Sequence, residues 1–262
     1  EGWDASDPQG VRLATVPPAE AQASIAATLY NVWRAKLIKS VVDPRLSALG
    51  VPGVGGDDAL KALHHLLSAT PFTGVGHSGV DFFPQPAGHD ADVRRDVALL
   101  DALRIALDAL ASDAYARAFG NSTDQDDYRW GKLHRKTFGH ALGGAFSLPP
   151  YAGFQDLVPD LLGMARDGGF EVVNASGFNA RADGPDSFRF GGGPVRRYVG
   201  MASFPAGASV VGYNAMPSVI GDPPNTTQLR MWLTGDSHPV HMTESAVQPL
   251  TNRIETFSPP PE

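Results

Sequence analysis

Residues 128–143 carry the side chains of this chain that are best suited to contact a substrate. They mix aromatic rings, cationic groups, imidazoles and glycines in one short run, a mixture that neither a surface helix nor a core strand requires. Within it, His134 and Arg135 are the best candidates for a contribution near a substrate pocket. A competing interpretation is that these side chains hold an irregular segment in place through hydrogen bonds, because buried polar groups nearly always find partners.

A second group with chemical potential lies near the C-terminus. His238, His241 and Glu244 form a His-x-x-His-x-x-Glu pattern, whose imidazoles and carboxylate are the ligand types that zinc prefers. Zinc hydrolases of the zincin type carry His-Glu-x-x-His on a helix, whereas Pro239 interrupts this segment. The pattern is therefore more typical of a solvated loop than of a metal site.

Two further clusters have ordinary structural explanations. Asp124, Asp126 and Asp127 lack the alternation and the glycine of a calcium-binding EF-hand loop, and we interpret them as an exposed loop before a helix. Asn174-Ala175-Ser176 matches a glycosylation acceptor, a frequent chance pattern.

Composition excludes several classes of protein. The 262 residues carry a formal charge of -7, with a pI near 5.6, which argues against a nucleic-acid partner. The absence of cysteine excludes disulfides, thiolate nucleophiles and cysteine-based zinc sites. No apolar run approaches the roughly 18 residues of a membrane span, so no membrane partner is expected. Since the chain begins with Glu1 and not with methionine, we expect its start to be an internal cut or a processed end.

Hydrophobic periodicity predicts that helices dominate the first half of the chain. Helices are predicted at residues 21–40, 57–67 and 90–119. The apolar stripe of the first contains Ile25, Leu29, Val32, Trp33, Leu37 and Ile38. In the third, the residues predicted to face the core are Val97, Leu100, Leu103, Leu107 and Leu110, opposite Asp101, Arg104 and Asp108.

After residue 124 the pattern changes to short β-branched and aromatic runs separated by glycine and proline. Strands are predicted at residues 170–173, 188–190, 195–201 and 209–213. We therefore predict an α+β protein, with a mainly helical segment at residues 1–125 and a sheet-containing part at residues 126–262.

Several motifs in the second half resemble those of one enzyme family. Residues 130–143 read Trp-Gly-x-Leu-His-Arg-x-x-Phe-x-His-x-Leu-Gly, a spacing similar to that in the β chain of penicillin acylase-type amidases. The Gly-rich turn and strand at 192–199, the Gly/Asn/Pro loop at 212–217 and the segment 227–235 follow in the order of the same β chains. Trp3-Asp4 and Trp33 also resemble that family.

This resemblance implies an N-terminal nucleophile hydrolase with the αββα fold, two stacked antiparallel sheets between helical layers. In that family autocatalytic cleavage frees an N-terminal serine, whose own α-amino group acts as the base. No Ser-Asn-Asn start occurs in these 262 residues. The chain is therefore expected to be the C-terminal portion of a β chain and to be inactive alone.

The resemblance also implies the partners and the setting. The expected partners are the α chain, the nucleophile-bearing β segment and a small-molecule amide, such as a β-lactam side chain or an N-acyl signal. No cofactor or metal is expected in this chain, although a structural calcium could lie elsewhere in the full enzyme. A periplasmic or secreted bacterial location is expected.

Two rival functions remain open. The chain could be a noncatalytic interaction module that keeps the family scaffold without the nucleophile. It could also be an unrelated metal-dependent hydrolase that uses the late histidines. Companion chains in the purified material separate the first rival from the acylase, and metal content tests the second.

Overall fold

The computed structural model describes residues 18–51, 54–137, 163–172, 175–181, 183–193, 197–199, 212–215, 238–241, 244–252 and 255. At residues 18–20, 164, 197–199, 212–215, 238–240 and 246 it describes the backbone alone. The chain divides into two compact units, Glu1–Pro194 and Val195–Glu262. The predicted boundary near residue 125, which marks a change from helix to sheet, falls within the first unit and stays a prediction.

Helices build most of the described part of the first unit. They are α1 (Pro18–Leu37), α2 (Asp43–Ala48), α3 (Gly56–Ser68), α4 (Ala91–Leu110), α5 (Asp113–Ala116) and α6 (Trp130–Leu133). A π-helical turn, Ile38–Val42, joins α1 to α2, and short 3₁₀ turns occupy Arg117–Phe119, Gln125–Asp127 and Pro185–Phe188. Among the described residues, no helix combines the length and hydropathy that a membrane crossing needs.

Helix α1 forms the centre of the core, as its apolar stripe predicts. Val32, Leu37 and Ile38 are completely buried, and α1 packs chiefly against α4. The indole of Trp33 donates a hydrogen bond of 3.0 Å to the carbonyl oxygen of Leu99, which ties the two helices together. The short helix predicted at residues 57–67 is confirmed as α3.

Helix α4 is shorter than predicted and faces the core with a different side. It ends at Leu110, and Gly120, in the left-handed conformation, terminates the 3₁₀ turn that follows α5. Its buried residues are Ala102, Ala106 and Leu110, whereas Leu100 is 66% exposed. The predicted core face was therefore wrong at Val97, Leu100 and Leu103. Alanines let two helix backbones approach closely, so side-chain size alone does not identify the contact face.

Substitutions on the two sides of α4 should differ sharply in their effects. Leu100→Lys is expected to change the free energy of unfolding by no more than about 0.5 kcal/mol, because its side chain is largely in solvent. Ala106→Leu is expected to cost about 1–3 kcal/mol, since it overfills the contact with α1. Urea-induced unfolding of both variants tests this, and equal losses would contradict the observed orientation.

Strands are short in both units. In the first unit, β1 (Arg135–Lys136) pairs antiparallel with β2 (Met164–Ala165). In the second, β3 (Arg197–Val199), β4 (Gly212–Ala215) and β5 (His238–Val240) form an antiparallel sheet in that order, followed by α7 (Glu244–Val247) and the 3₁₀ turn Gln248–Leu250. The mixed α+β class is therefore observed.

The predicted strands fared unevenly. Over their described residues, those at 195–201 and 209–213 are confirmed by β3 and by the start of β4. The loop expected at 212–217 is wrong over residues 212–215, because these form β4. The strand predicted at 188–190 is wrong, because Phe188 ends a 3₁₀ turn. The one predicted at 170–173 is wrong over its described residues, because Phe170 and Glu171 form a turn in which Glu171 has a positive φ of 64°.

Candidate functional site around His134

Helix α6 places the first part of the 128–143 motif against α1. The Trp130 backbone N–H donates to the Ser24 hydroxyl oxygen over 2.9 Å, so a side chain of α1 satisfies a free N–H at the start of α6. The Trp130 indole N–H donates to the carbonyl oxygen of Gly168 over 2.8 Å. Because both bonds are buried, α6 is fixed at its first residue by main chain and side chain together.

The chain leaves α6 at His134, whose imidazole lies inside the core. His134 is 0% exposed and its ring stacks on Trp130, with centroids 5.0 Å apart and planes 10° from parallel. The rings of Phe178 and Phe190 complete its surroundings. No substrate can reach this imidazole in the observed conformation.

Both ring nitrogens of His134 have hydrogen-bond partners. Nδ1 lies 2.8 Å from the carbonyl oxygen of Phe188, and Nε2 lies 2.8 Å from the Ser176 hydroxyl. A carbonyl oxygen can only accept, so Nδ1 carries the hydrogen of the neutral ring. Nε2 is then the acceptor, and Ser176 donates its hydroxyl hydrogen to it.

A serine that donates to a neutral histidine has the connectivity of an activated nucleophile. Ser176, however, is only 1% exposed, and an acyl carbon needs direct access to the hydroxyl oxygen. The pair instead joins α6 to the 175–178 segment and, through the carbonyl oxygen of Phe188, to the Pro185–Phe188 turn. Its observed role is to hold three segments together.

The protonation of His134 follows from its position. Burial lowers the pKa of His134 from its ordinary value of 6.5 to about 4, because a charged imidazolium would lose its hydration. The hydrogen bond to the Phe188 carbonyl oxygen opposes this shift, and the nearby Arg166 guanidinium adds to it. His134 is therefore neutral at physiological pH.

Arg135, the other predicted position, faces a cavity. Its Nε donates to the carbonyl oxygen of Gly163 over 3.1 Å, and its backbone oxygen accepts from Phe190 N–H. With Arg117, Lys132 and the ion pair of Arg189 with Asp186 it lines a cavity of about 330 Å³, which we call the cationic cleft. Charged donors of this kind suit a carboxylate or phosphate group.

The two predicted positions, His134 and Arg135, are neighbours in the chain but lie in different surroundings. His134 lies in the core, and Arg135 lies at the wall of the cationic cleft. A role for either near a substrate stays a prediction. The partners of His134 were missed, because a main-chain carbonyl has no signature in the sequence and Ser176 was noted only within a glycosylation pattern.

The other candidate ligands do not assemble in the described residues. Asp124 accepts a hydrogen bond from the Asp126 N–H over 3.0 Å and caps the 3₁₀ turn Gln125–Asp127, which agrees with a loop before a helix. The side chain of His238 lies outside the described residues, so the zinc pattern stays untested. Within the described part of the chain, no three metal-ligating side chains come together.

The comparison with protein families bears directly on the 128–143 motif. The model of the penicillin amidase family matches residues 3–249, which is most of the chain. The chain belongs to the penicillin amidase family. The resemblance seen in the motifs is thereby confirmed, and acylase-type amide hydrolysis is the activity that this family indicates. No curated protein and no solved structure matches the chain.

Family membership also gives the geometry around His134 a context. In this penicillin amidase family chain, the segment that carries the family motif is bound by hydrogen bonds to α1 and to the 163–190 region. The described part of the motif therefore has a stabilising role, because it connects these segments by buried hydrogen bonds. Three residues of the motif, Lys132, Leu133 and Arg135, line the cationic cleft.

Proposed function

We propose that this chain is the C-terminal portion of an acylase β chain that takes part in hydrolysing a linear amide. The serine nucleophile would be carried on a portion outside these 262 residues. The observation that carries the proposal is the match to the penicillin amidase family over residues 3–249. The acyl group would come from a β-lactam side chain or an N-acyl signal.

The burial of the Ser176–His134 pair supports this assignment. Its serine hydroxyl donates to a histidine ring nitrogen, as in an activated nucleophile, but both side chains are buried. Neither group of this pair is therefore placed to attack an amide, and we propose that the nucleophile comes from elsewhere. An N-terminal serine that uses its own α-amino group as base meets that need.

Exposed apolar residues on α4 support the proposal that another polypeptide packs against this chain. Val93, Val97, Leu100 and Leu103 recur at helical spacing outside the buried residues of α4, and each is more than a third exposed. A continuous apolar stripe of this kind is typical of a surface that another polypeptide covers. We propose that the rest of the acylase packs on this stripe.

The proposal extends to the fold and the setting. The full enzyme would have the αββα architecture, and antiparallel pairing in both described sheets is compatible with it. It would mature by autoproteolysis in the periplasm or outside the cell. It would need no catalytic cofactor.

The test is intact-mass measurement and N-terminal sequencing of every component of the native material, combined with an assay on an N-acyl amide. A companion chain that begins with serine, and whose removal abolishes hydrolysis, is the expected result. A complex with no hydrolase activity would favour the noncatalytic module instead. Hydrolysis by this chain alone would contradict the proposal.

The α4 stripe offers a second test with a matched control. Leu100→Glu is expected to weaken association with the companion chain at least tenfold, because it places a charge in an apolar contact. Leu49→Glu changes an exposed leucine that follows α2, and it should leave association unchanged. Equal effects of the two variants would remove the stripe from the interface.

A further inference from the structure

A second pocket, separate from the His134 region, lies between α1 and the 169–172 segment. Its cavity volume is about 440 Å³, within the range of small-molecule sites. The lining is largely apolar, and its non-polar contacts come from Ala23, Ala26, Ala27, Tyr30, Phe170 and Val172. The alanines leave space beside α1 that larger residues would fill.

The polar end of this pocket contains a cation with spare hydrogen-bonding capacity. Arg34 is 6% exposed, its Nη2 donates to Asn31 Oδ1 over 2.8 Å, and its guanidinium lies 4.5 Å from the centre of the Tyr30 ring. Its Nε is buried without a hydrogen-bond partner and has no surface open to the pocket, so the donor left for a ligand is the terminal nitrogen Nη1.

The nearest acid does not satisfy Arg34. Glu171 Oε2 lies 3.7 Å from Arg34 Nη1, too far for a hydrogen bond, and 3.0 Å from His64 Nδ1. Glu171 also has a left-handed backbone with a φ of 64°, which is rare for a residue with a long side chain. Such strain is found at ligand sites more than elsewhere.

We propose that this pocket binds an amphiphilic carboxylate, with the acyl or aryl tail on the alanine face and the carboxylate on Arg34. Guanidinium groups recognise carboxylates through charge-assisted N–H donors, and Arg34 lines this apolar cavity with an Nη1 whose acidic neighbour, Glu171, lies 3.7 Å away. His64 holds Glu171 on its own side, so that Arg34 keeps its unused donor. The site binds a ligand and carries out no chemistry, and it stands independently of the proposed amide hydrolysis.

Isothermal titration calorimetry on the complete 262-residue chain tests the site, with octanoate as the probe. Octanoate should bind at one site, and the neutral octan-1-ol should bind at least tenfold more weakly, because it cannot use the charge of Arg34. Arg34→Gln should reduce octanoate affinity at least tenfold. Glu171→Gln should increase it, because a competing carboxylate is removed while the backbone position is kept.

A pair of exposed variants guards against misfolding of the Arg34 variant. Ala26→Trp fills the pocket from an exposed helix position and should abolish octanoate binding, whereas Gln22→Trp, one turn earlier and outside the lining, should not. Thermal melts establish that both variants fold. The proposal is overturned if octanol binds as tightly as octanoate, if Ala26→Trp binds octanoate normally, or if no saturable binding is found.

Discussion

Trp130→Ala is expected to lower the free energy of unfolding by about 4 kcal/mol, the largest loss that we expect from a single substitution. The side chain is completely buried and is the largest in the core. It packs against the rings of His134, Phe178 and Phe188, with centroids 5.0 to 6.0 Å away. Removing it opens a cavity and leaves the Gly168 carbonyl without its donor. Equilibrium unfolding in urea measures the loss.

Two companion variants separate the terms of this loss. Trp130→Phe keeps most of the ring volume and removes the indole N–H, so it should cost about 1–3 kcal/mol. Trp33→Ala removes a tryptophan that is only half-buried and should cost less than Trp130→Ala. If Trp33→Ala were the more damaging variant, the packing around Trp130 would contribute less to stability than the α1–α4 contact does.

Helix positions could be predicted from the sequence, whereas helix faces were harder to predict. The stripe around Val32 and Leu37 identified the buried side of α1, because large apolar residues recur there at one spacing and the other faces are polar. On α4 the leucines and the alanines both recur at helical spacing, so two faces were possible. Packing against α1 determines which of these two faces is buried, and the spacing of residues within α4 contains no information about that packing.

The candidate site, too, could be predicted only in part from the sequence. The sequence drew attention to His134 and Arg135 because their types and spacing are unusual. It could not show that the next turn of chain places them in different surroundings, since that depends on the φ and ψ of His134 at the end of α6. The ion pair between Arg34 and Glu171 could not be predicted from the sequence either, because 137 positions separate the two residues and Glu171 has a positive φ that is atypical for its residue type.

The hydrogen bonds of His134 give the motif its stabilising role. Through them one neutral ring connects α6, the Ser176 segment and the Pro185–Phe188 turn, and Trp130 adds a connection to Gly168. These segments carry the walls of the cationic cleft, including Arg135 and Arg189. Loss of the buried hydrogen bonds of His134 should therefore alter the cationic cleft, even though His134 does not line it.

Acidification should weaken the hydrogen bonds of His134. The folded pKa of His134 is about 4 and its ordinary value is 6.5, so the folded state resists protonation more than the unfolded chain does. The corresponding stability is fully present above pH 6.5 and is lost as the pH falls toward the folded pKa of about 4. Between about pH 7.5 and about pH 5 the expected loss is about 2 kcal/mol.

Urea unfolding at these two pH values, for the protein and for two variants, tests the assignment. His134→Gln removes the titrating group and should flatten the pH dependence, whatever its own cost in stability. His89→Gln, at an exposed histidine, should retain the dependence of the unmodified protein. Because the hydroxyl of Ser176 also lies 3.2 Å from the Asp167 carbonyl oxygen, it can turn there when His134 becomes protonated. The remaining cost of protonation is then the burial of the imidazolium charge. An NMR titration that places the pKa of His134 near 6.5 would contradict the expected pH dependence.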